Sequence, residues 1–283
     1  MSESTVKVNT SKRLEDTRQS TCIWTCRRTK HRRGHWGNHV TARLMIVLCS
    51  VGLSELAIAQ DTDVQRLDNF AHSINPWQEI RINENIPPNH FQLKTWDSVN
   101  AVEVVSQASM SLLGRAIDVN LEHTPLLCWR WRIDAPLQTA DMTRKSGDDY
   151  AARLYISLAL PESEKGFLLN TQLALARAIW GQQLPDAAIN YVWDNLQAQG
   201  TIRPNAYTDR TTMVVLQSGS DQTGRWISEA RHLRHDIERL YSFNAKATQI
   251  AIGADTDNTG ESARAGFADI HFASEATGCQ FPG

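Results

Sequence analysis

The chain has 283 residues, 41% of them hydrophobic and 21% charged. That balance excludes wholesale disorder and allows one large domain or two small ones. The formal net charge of -2 conceals a split: ten Lys/Arg but only four Asp/Glu fall in residues 1–59, so the leader is basic and the body acidic. An acidic body argues against nucleic acid, whose binding depends on neutralising phosphates, and fits neutral or cationic partners.

In chain order, the first feature is an export pattern. Arg27, Arg28, Lys30, Arg32, Arg33 and Arg43 precede an apolar run from Leu44 to Leu53, and Ala57-Ile58-Ala59 follows as a small-x-small cleavage site. Basic, apolar, A-x-A is the order of a secretory signal peptide. The run is shorter than the roughly 20 apolar residues that span a bilayer, so no membrane span is expected once cleavage near Ala59 has occurred. The rival is an uncleaved anchor extended across Glu55. Residues 1–43 lack apolar periodicity and read as disordered; the true start codon stays open. Cys22, Cys26, His31, His35 and His39 superficially suggest zinc, but cleavage would discard them. The body keeps Cys128 and Cys279. An exported domain can bridge two such cysteines, and whether these pair, or stay separate thiols, is left open.

Residues 60–76 are polar and read as a lead-in, a short helix or a loose arm. Trp77–Ile82, Phe91–Trp96, Ala101–Ser106 and Ser111–Arg115 then read as short strands with turns between them. The clearest strand is Leu127–Asp134, with Leu127, Trp129, Trp131 and Ile133 on one face and Arg130, Arg132 and Asp134 on the other. A second runs from Asp149 to about Leu160, with Tyr150, Ala152 and Leu154 opposite Asp149 and Arg153. If these two strands pair, Asp149 and Arg153 lie beside Arg130 and Arg132 in one network. Gln172–Trp180 has helix-forming composition, Asn190–Asp194 returns to sheet, Arg210–Ser218 is a strand, and Ser228–Tyr241 has helical spacing. Gln249–Ala254 and Gly266–Phe272 close the pattern. The fold expected is mostly β: an antiparallel sandwich of jelly-roll or carbohydrate-binding-module type, with one or two inserted helices. It occupies 77–275 as a single domain, followed by a tail over 276–283.

Three polar constellations stand out. Asp148 and Asp149 at a strand entry, with Arg153, suit cation or ligand contact, or a structural ion pair. Asp255, Asp257 and Thr259, with Gly260, resemble half of a calcium loop. The twelfth position holds Gly266 in place of the bidentate Glu, which excludes an EF-hand; a looser calcium site is the one cofactor the pattern admits. The same residues superficially match a phosphatase nucleophile loop, but too little chain follows to supply its partners. Asn190, Tyr191 and Trp193, and then Asn205 and Tyr207, combine amides with aromatics, the means by which sugars are held. The alternative is core aromatics with satisfied polar tips.

Trp129-Arg130-Trp131-Arg132, Gly147-Asp148-Asp149-Tyr150-Ala151-Ala152-Arg153, Asn190-Tyr191-Val192-Trp193 and Asp255-Thr256-Asp257-Asn258-Thr259-Gly260 together resemble the bacterial exported domain-of-unknown-function family 3047. The resemblance spans roughly residues 77–273 and implies no activity. Cys128 and Cys279 do not belong to its pattern. The layout is also similar to carbohydrate-binding sandwiches at the level of fold alone.

The expectation is therefore a periplasmic or secreted, non-catalytic binding protein for a saccharide or cell-envelope glycan. Arg130, Arg132, Asp148, Asp149, Arg153, Asn190, Tyr191 and Trp193 are its candidate ligand contacts. The rivals are a carboxylate-dependent hydrolase or lyase acting on an envelope polymer, and a structural partner in envelope assembly.

Overall fold

Period-two alternation carries most of the body into strands. In a computed structural model, which describes residues 63–167, 170, 171, 173, 184–241 and 245–282, two sheets face one another. The first is built from β1 (Val64–Asp68), β3 (His90–Trp96), β4 (Val99–Gln107), β6 (Leu126–Ile133), β11 (Ile227–His232) and β13 (Ser262–Ala273). Its order is β11-β6-β13-β4-β3, with β1 also on β13, and every pair is antiparallel. The second contains β2 (Gln78–Ile80), β5 (Met110–Ala116), β7 (Tyr150–Ala159), β8 (Ala187–Asp194), β9 (Ile202–Pro204), β10 (Thr211–Ser218) and β12 (Lys246–Asp255). It runs β2-β5-β12-β7-β8-β10-β9 and is antiparallel except for the parallel pair β8–β10. An α-helix, α1 (Leu233–Tyr241), follows β11. Among the described residues this is a mostly β, two-sheet sandwich.

The core is aromatic. Trp129 and Trp131 of β6 meet Tyr191 and Trp193 of β8 across the sandwich, with ring centroids 5.6 and 5.8 Å apart. All four are at most 1% exposed. Rings of this size dominate core energetics, and tilted or edge-on pairs add to their area burial. Burial of Tyr191 leaves its hydroxyl in need of a partner, and it donates to Asp236 of α1 at 2.6 Å.

Four expectations need correction. The lead-in contains β1, whose residues pair with the middle and end of β13, Val64 opposite Ala273. Ser228–Tyr241 is helical only in its second half; its first half alternates in burial and pairs with β6 as an edge strand. The strands around Trp129 and Arg153 do not pair, because β6 lies in the first sheet and β7 in the second. Finally, Tyr150 leaves the inward row expected for it, for a reason given below. The helix expected around Gln172–Trp180 lies largely outside the described residues. So do the leader, its cleavage site and the Cys22–His39 cluster. No helix among the described residues is long and apolar enough to cross a membrane.

Cys128 and Cys279 are joined by a disulfide with Cα atoms 5.7 Å apart. Beside it, His271 Nδ1 faces the Asp269 carbonyl at 2.7 Å, and its Nε2 accepts from the Gln280 backbone N–H at 2.9 Å. The tail expected at 276–283 is therefore fastened at two adjacent points, to β6 through the disulfide and to β13 through His271.

On the outer face of the first sheet, Glu103 is 2% exposed. Burial alone would raise its pKa. Hydrogen bonds and charge from Lys94, Gln92 and Arg264 outweigh this and hold it down from 4.5 to about 2. A depressed carboxylate stabilises the fold above its unfolded pKa, and that contribution fades as pH falls through the folded value. Stability of the wild-type chain should therefore drop between about pH 5 and pH 2 by on the order of 2 kcal/mol through this group, discounted for its half-exposed partners. Urea titrations across that range should show a shallower fall for Glu103→Gln. An unchanged slope would mean the cluster contributes nothing.

Candidate functional site

The outer face of the second sheet carries the polar cluster. Register fixes which side chains share it: Arg153 stands opposite Val192 on β8 and Gly253 on β12, and Asn190 stands opposite Tyr155 and Met213. The register between β7 and β12 slips between Gly253 and Asp255. Bulges of this kind re-aim side chains near functional sites. Here Tyr150 turns out of the main core into a small outer cluster with Met142, Val192, Met213 and Val215. Its ring lies under Arg153, 5.4 Å from the guanidinium carbon.

Arg153 is buried and must spend its donors inside the protein. Nη1 donates to Asp255 Oδ2 at 2.6 Å. Asn190, with its amide oxygen turned toward the guanidinium, accepts from Nη2 at 2.5 Å and Nε at 3.1 Å. Burial works against the Arg153 charge, and the carboxylates of Asp255 and Asp148 more than offset it, so the pKa is raised further. Asp255 is pushed well above the usual carboxylate range by burial. Arg153 opposes that shift, while Asp257 and Asp149 add to it.

The two adjacent aspartates divide as strand geometry requires. Asp148 accepts from Tyr150 Oη at 2.8 Å and from Asn205 Nδ2 at 2.7 Å. Asp149 reaches across to the β12–β13 turn. It accepts from the Thr259 N–H at 2.7 Å and Asn258 Nδ2 at 3.1 Å. That turn is pinned from below: the Thr256 hydroxyl pairs with Ser106 at 2.7 Å, and Asn89 donates to the Ser111 and Ala254 carbonyls. Carboxylate oxygens of Asp149, Asp255 and Asp257 lie within 4.8 Å of one another. Thr259 joins this group through its backbone N–H and not as a side-chain ligand.

Tyr207 sits at the edge of the cluster, 54% exposed. Its Oη is 3.0 Å from both the Lys145 carbonyl and Asn258 Oδ1, and Lys145 Nζ stands 5.3 Å from its ring. Burial raises its pKa, and the charges of Asp148, Asp257, Asp255 and Asp149 add to that shift.

The expected ligand set therefore divides three ways. Asp148, Asp149, Arg153 and Asn190 converge, and the 255–259 turn joins them. Tyr191 and Trp193 point the other way, into the core, because they alternate with Asn190 and Val192 along β8; as ligand contacts they are a correction. Arg130 and Arg132 lie on the far outer face, that of the first sheet. Arg130 pairs with Asp269, and Arg132 pairs with Asp97 and stacks 3.9 Å over Trp96. Both are engaged structurally, and they too are corrections. Lys145, Asn205, Tyr207 and Asn258 complete the site. For Asn205 and Tyr207 the signal was a polar, aromatic-bearing turn at 204–208, with nothing local to say which face it would join; Asn258 belongs to the 255–260 motif, and Lys145 carried no signal of its own.

Fold and site together define a mostly antiparallel two-sheet sandwich with a carboxylate–guanidinium cluster on one outer face, bordered by an exposed tyrosine. Residues 75–271 match the family described as "Protein of unknown function (DUF3047)". The chain belongs to that family. No curated protein matches it. Among solved structures it is similar to the xyloglucanase domain of NopAA, a type three effector from Sinorhizobium fredii, determined in complex with cellobiose. Identity is 9% and the TM-score 0.35, over 72% of this chain and 100% of that one; a superposition at that level carries no argument about site or ligand.

Proposed function

We propose that this chain is a non-catalytic binding protein for a saccharide or cell-envelope glycan, acting outside the cytoplasm, and that it grips its ligand around Tyr207. The observation that carries the reading is the Tyr207 ring, 54% exposed, bracketed by Asn205, Asn258, Lys145 and Asp148. An exposed ring offers the flat apolar surface on which a pyranose stacks, and amides and carboxylates take its hydroxyls. The disulfide supports an oxidising compartment. Binding is favoured over hydrolysis because Asp148 and Asp149 act only as acceptors from neighbouring donors. Asp255, the carboxyl of the cluster that burial pushes toward its protonated form, is 4% exposed and engaged by Arg153, out of reach of a glycosidic oxygen that would need its proton.

The test is calorimetry of the folded domain against a panel of envelope glycans and peptidoglycan fragments. One class should bind, and Tyr207→Ala should weaken it about tenfold, the loss of one stacking contact. Thermal stability should barely change, since the residue is exposed. Silence across the panel from folded protein would overturn the reading.

A further inference from the structure

We propose that the turn between β12 and β13 is a divalent-cation site, with calcium as its ion and the carboxylates of Asp149, Asp255 and Asp257 as its protein ligands. The inference is independent of the saccharide reading, and no sugar enters its test.

Clustered acids alone would not carry it. The deciding group is Asp255, which is 4% exposed. Its Oδ2 is taken by Arg153 at 2.6 Å, but its Oδ1 is buried with no hydrogen-bond partner. A buried carboxylate oxygen left unpaired costs the full desolvation of that group. Here it stands in a group of three carboxylates whose oxygens lie within 4.8 Å of one another.

Geometry and donor type select the ion. All three ligands are hard carboxylate oxygens, which suit calcium or magnesium and not softer metals. Oxygens within 4.8 Å of one another can share one ion, and calcium tolerates an irregular, partly solvent-open carboxylate set where magnesium demands a near-ideal octahedron. The frame is also built in advance. Asp149 is held by the Thr259 N–H and Asn258, and Thr256 locks the turn to Ser106 and Ser109. Asp257 is the partly exposed member, so it forms the entry side, where water would complete the coordination shell. With three carboxylates and a solvent-open side, the site belongs with extracellular calcium modules, with Kd on the order of 0.1–1 mM.

The experiment uses the whole exported domain stripped with chelator. Calcium chloride alone is titrated in by calorimetry, and the melting temperature is followed in parallel. One-site binding is expected, and 10 mM calcium should raise the midpoint by about 5 °C, with magnesium giving a smaller shift. Asp257→Asn should weaken calcium at least tenfold, whereas Asp118→Asn, which removes an exposed aspartate paired with Lys246, should leave it unchanged. Absence of binding to the wild-type domain at 10 mM overturns the proposal. Full binding in Asp257→Asn overturns it as well, since the ion would then lie elsewhere. Calorimetry on the wild-type domain keeps the test decisive even if the variant is less stable.

Discussion

Arg153→Met should be among the most destabilising single substitutions in this domain, lowering stability by about 3–5 kcal/mol. The magnitude comes less from the ion pair itself than from what its removal leaves behind. Asp255 would remain buried beside two further carboxylates with its only hydrogen-bonded cation gone, and Asn190 would lose its donors. For a domain of this size the midpoint should fall by about 10 °C in chelator-treated protein. The double variant Arg153→Met with Asp255→Asn should recover part of the loss, because it removes the stranded charge along with its partner. A loss below about 1 kcal/mol in the single variant would show that water or a relaxed Asp255 compensates.

Removing the disulfide should have a comparable effect. Cys128 and Cys279 are 151 residues apart in sequence, so the bond closes most of the domain into one loop. Loop-closure entropy puts the stabilisation at about 5 kcal/mol, and typical bridges deliver 2–4 kcal/mol. Cys128→Ala with Cys279→Ala should therefore shift the urea midpoint strongly downward. The slope of the transition should steepen, since the unfolded chain expands once the link is gone. An unchanged midpoint with and without reductant would mean that His271 and the pairing of β13 hold the tail unaided.

Legibility in the sequence followed the range of each interaction. Leu127–Ile133 could be read because its alternation is local: two tryptophans on one face and two arginines on the other leave no doubt which side is core. Its neighbours could not be read, because pairing partners are chosen by contacts far apart in sequence. Hence the local pattern groups Arg130 and Arg132 with Arg153, although they lie on opposite outer faces of the sandwich. On β8 the difficulty was burial on both faces. All eight residues from Ala187 to Asp194 are buried, so alternation no longer marked inside from outside, and Tyr191 and Trp193 were as plausible at a site as in the core. Asp148, Asp149, Arg153 and the 255–260 turn were legible as separate polar groups, since charges on strands need partners; that they converge was not, because β7 and β12 pair across about a hundred residues of sequence. The outward turn of Tyr150 was not, because a bulge depends on a register that no local pattern announces. The Asp255 oxygen without a partner is likewise visible only once its surroundings are assembled.

The first strand lies along the last: β1 pairs with β13, Val64 against Ala273 and Arg66 against His271. The first sheet is therefore finished only when both ends of the body are present together. Synthesis from the amino end cannot complete this sheet stepwise, and a chain still missing its final residues has an open seam where β13 belongs. Such a topology folds late and as a whole. That timing makes truncation at the carboxyl end a lesion felt at the amino end.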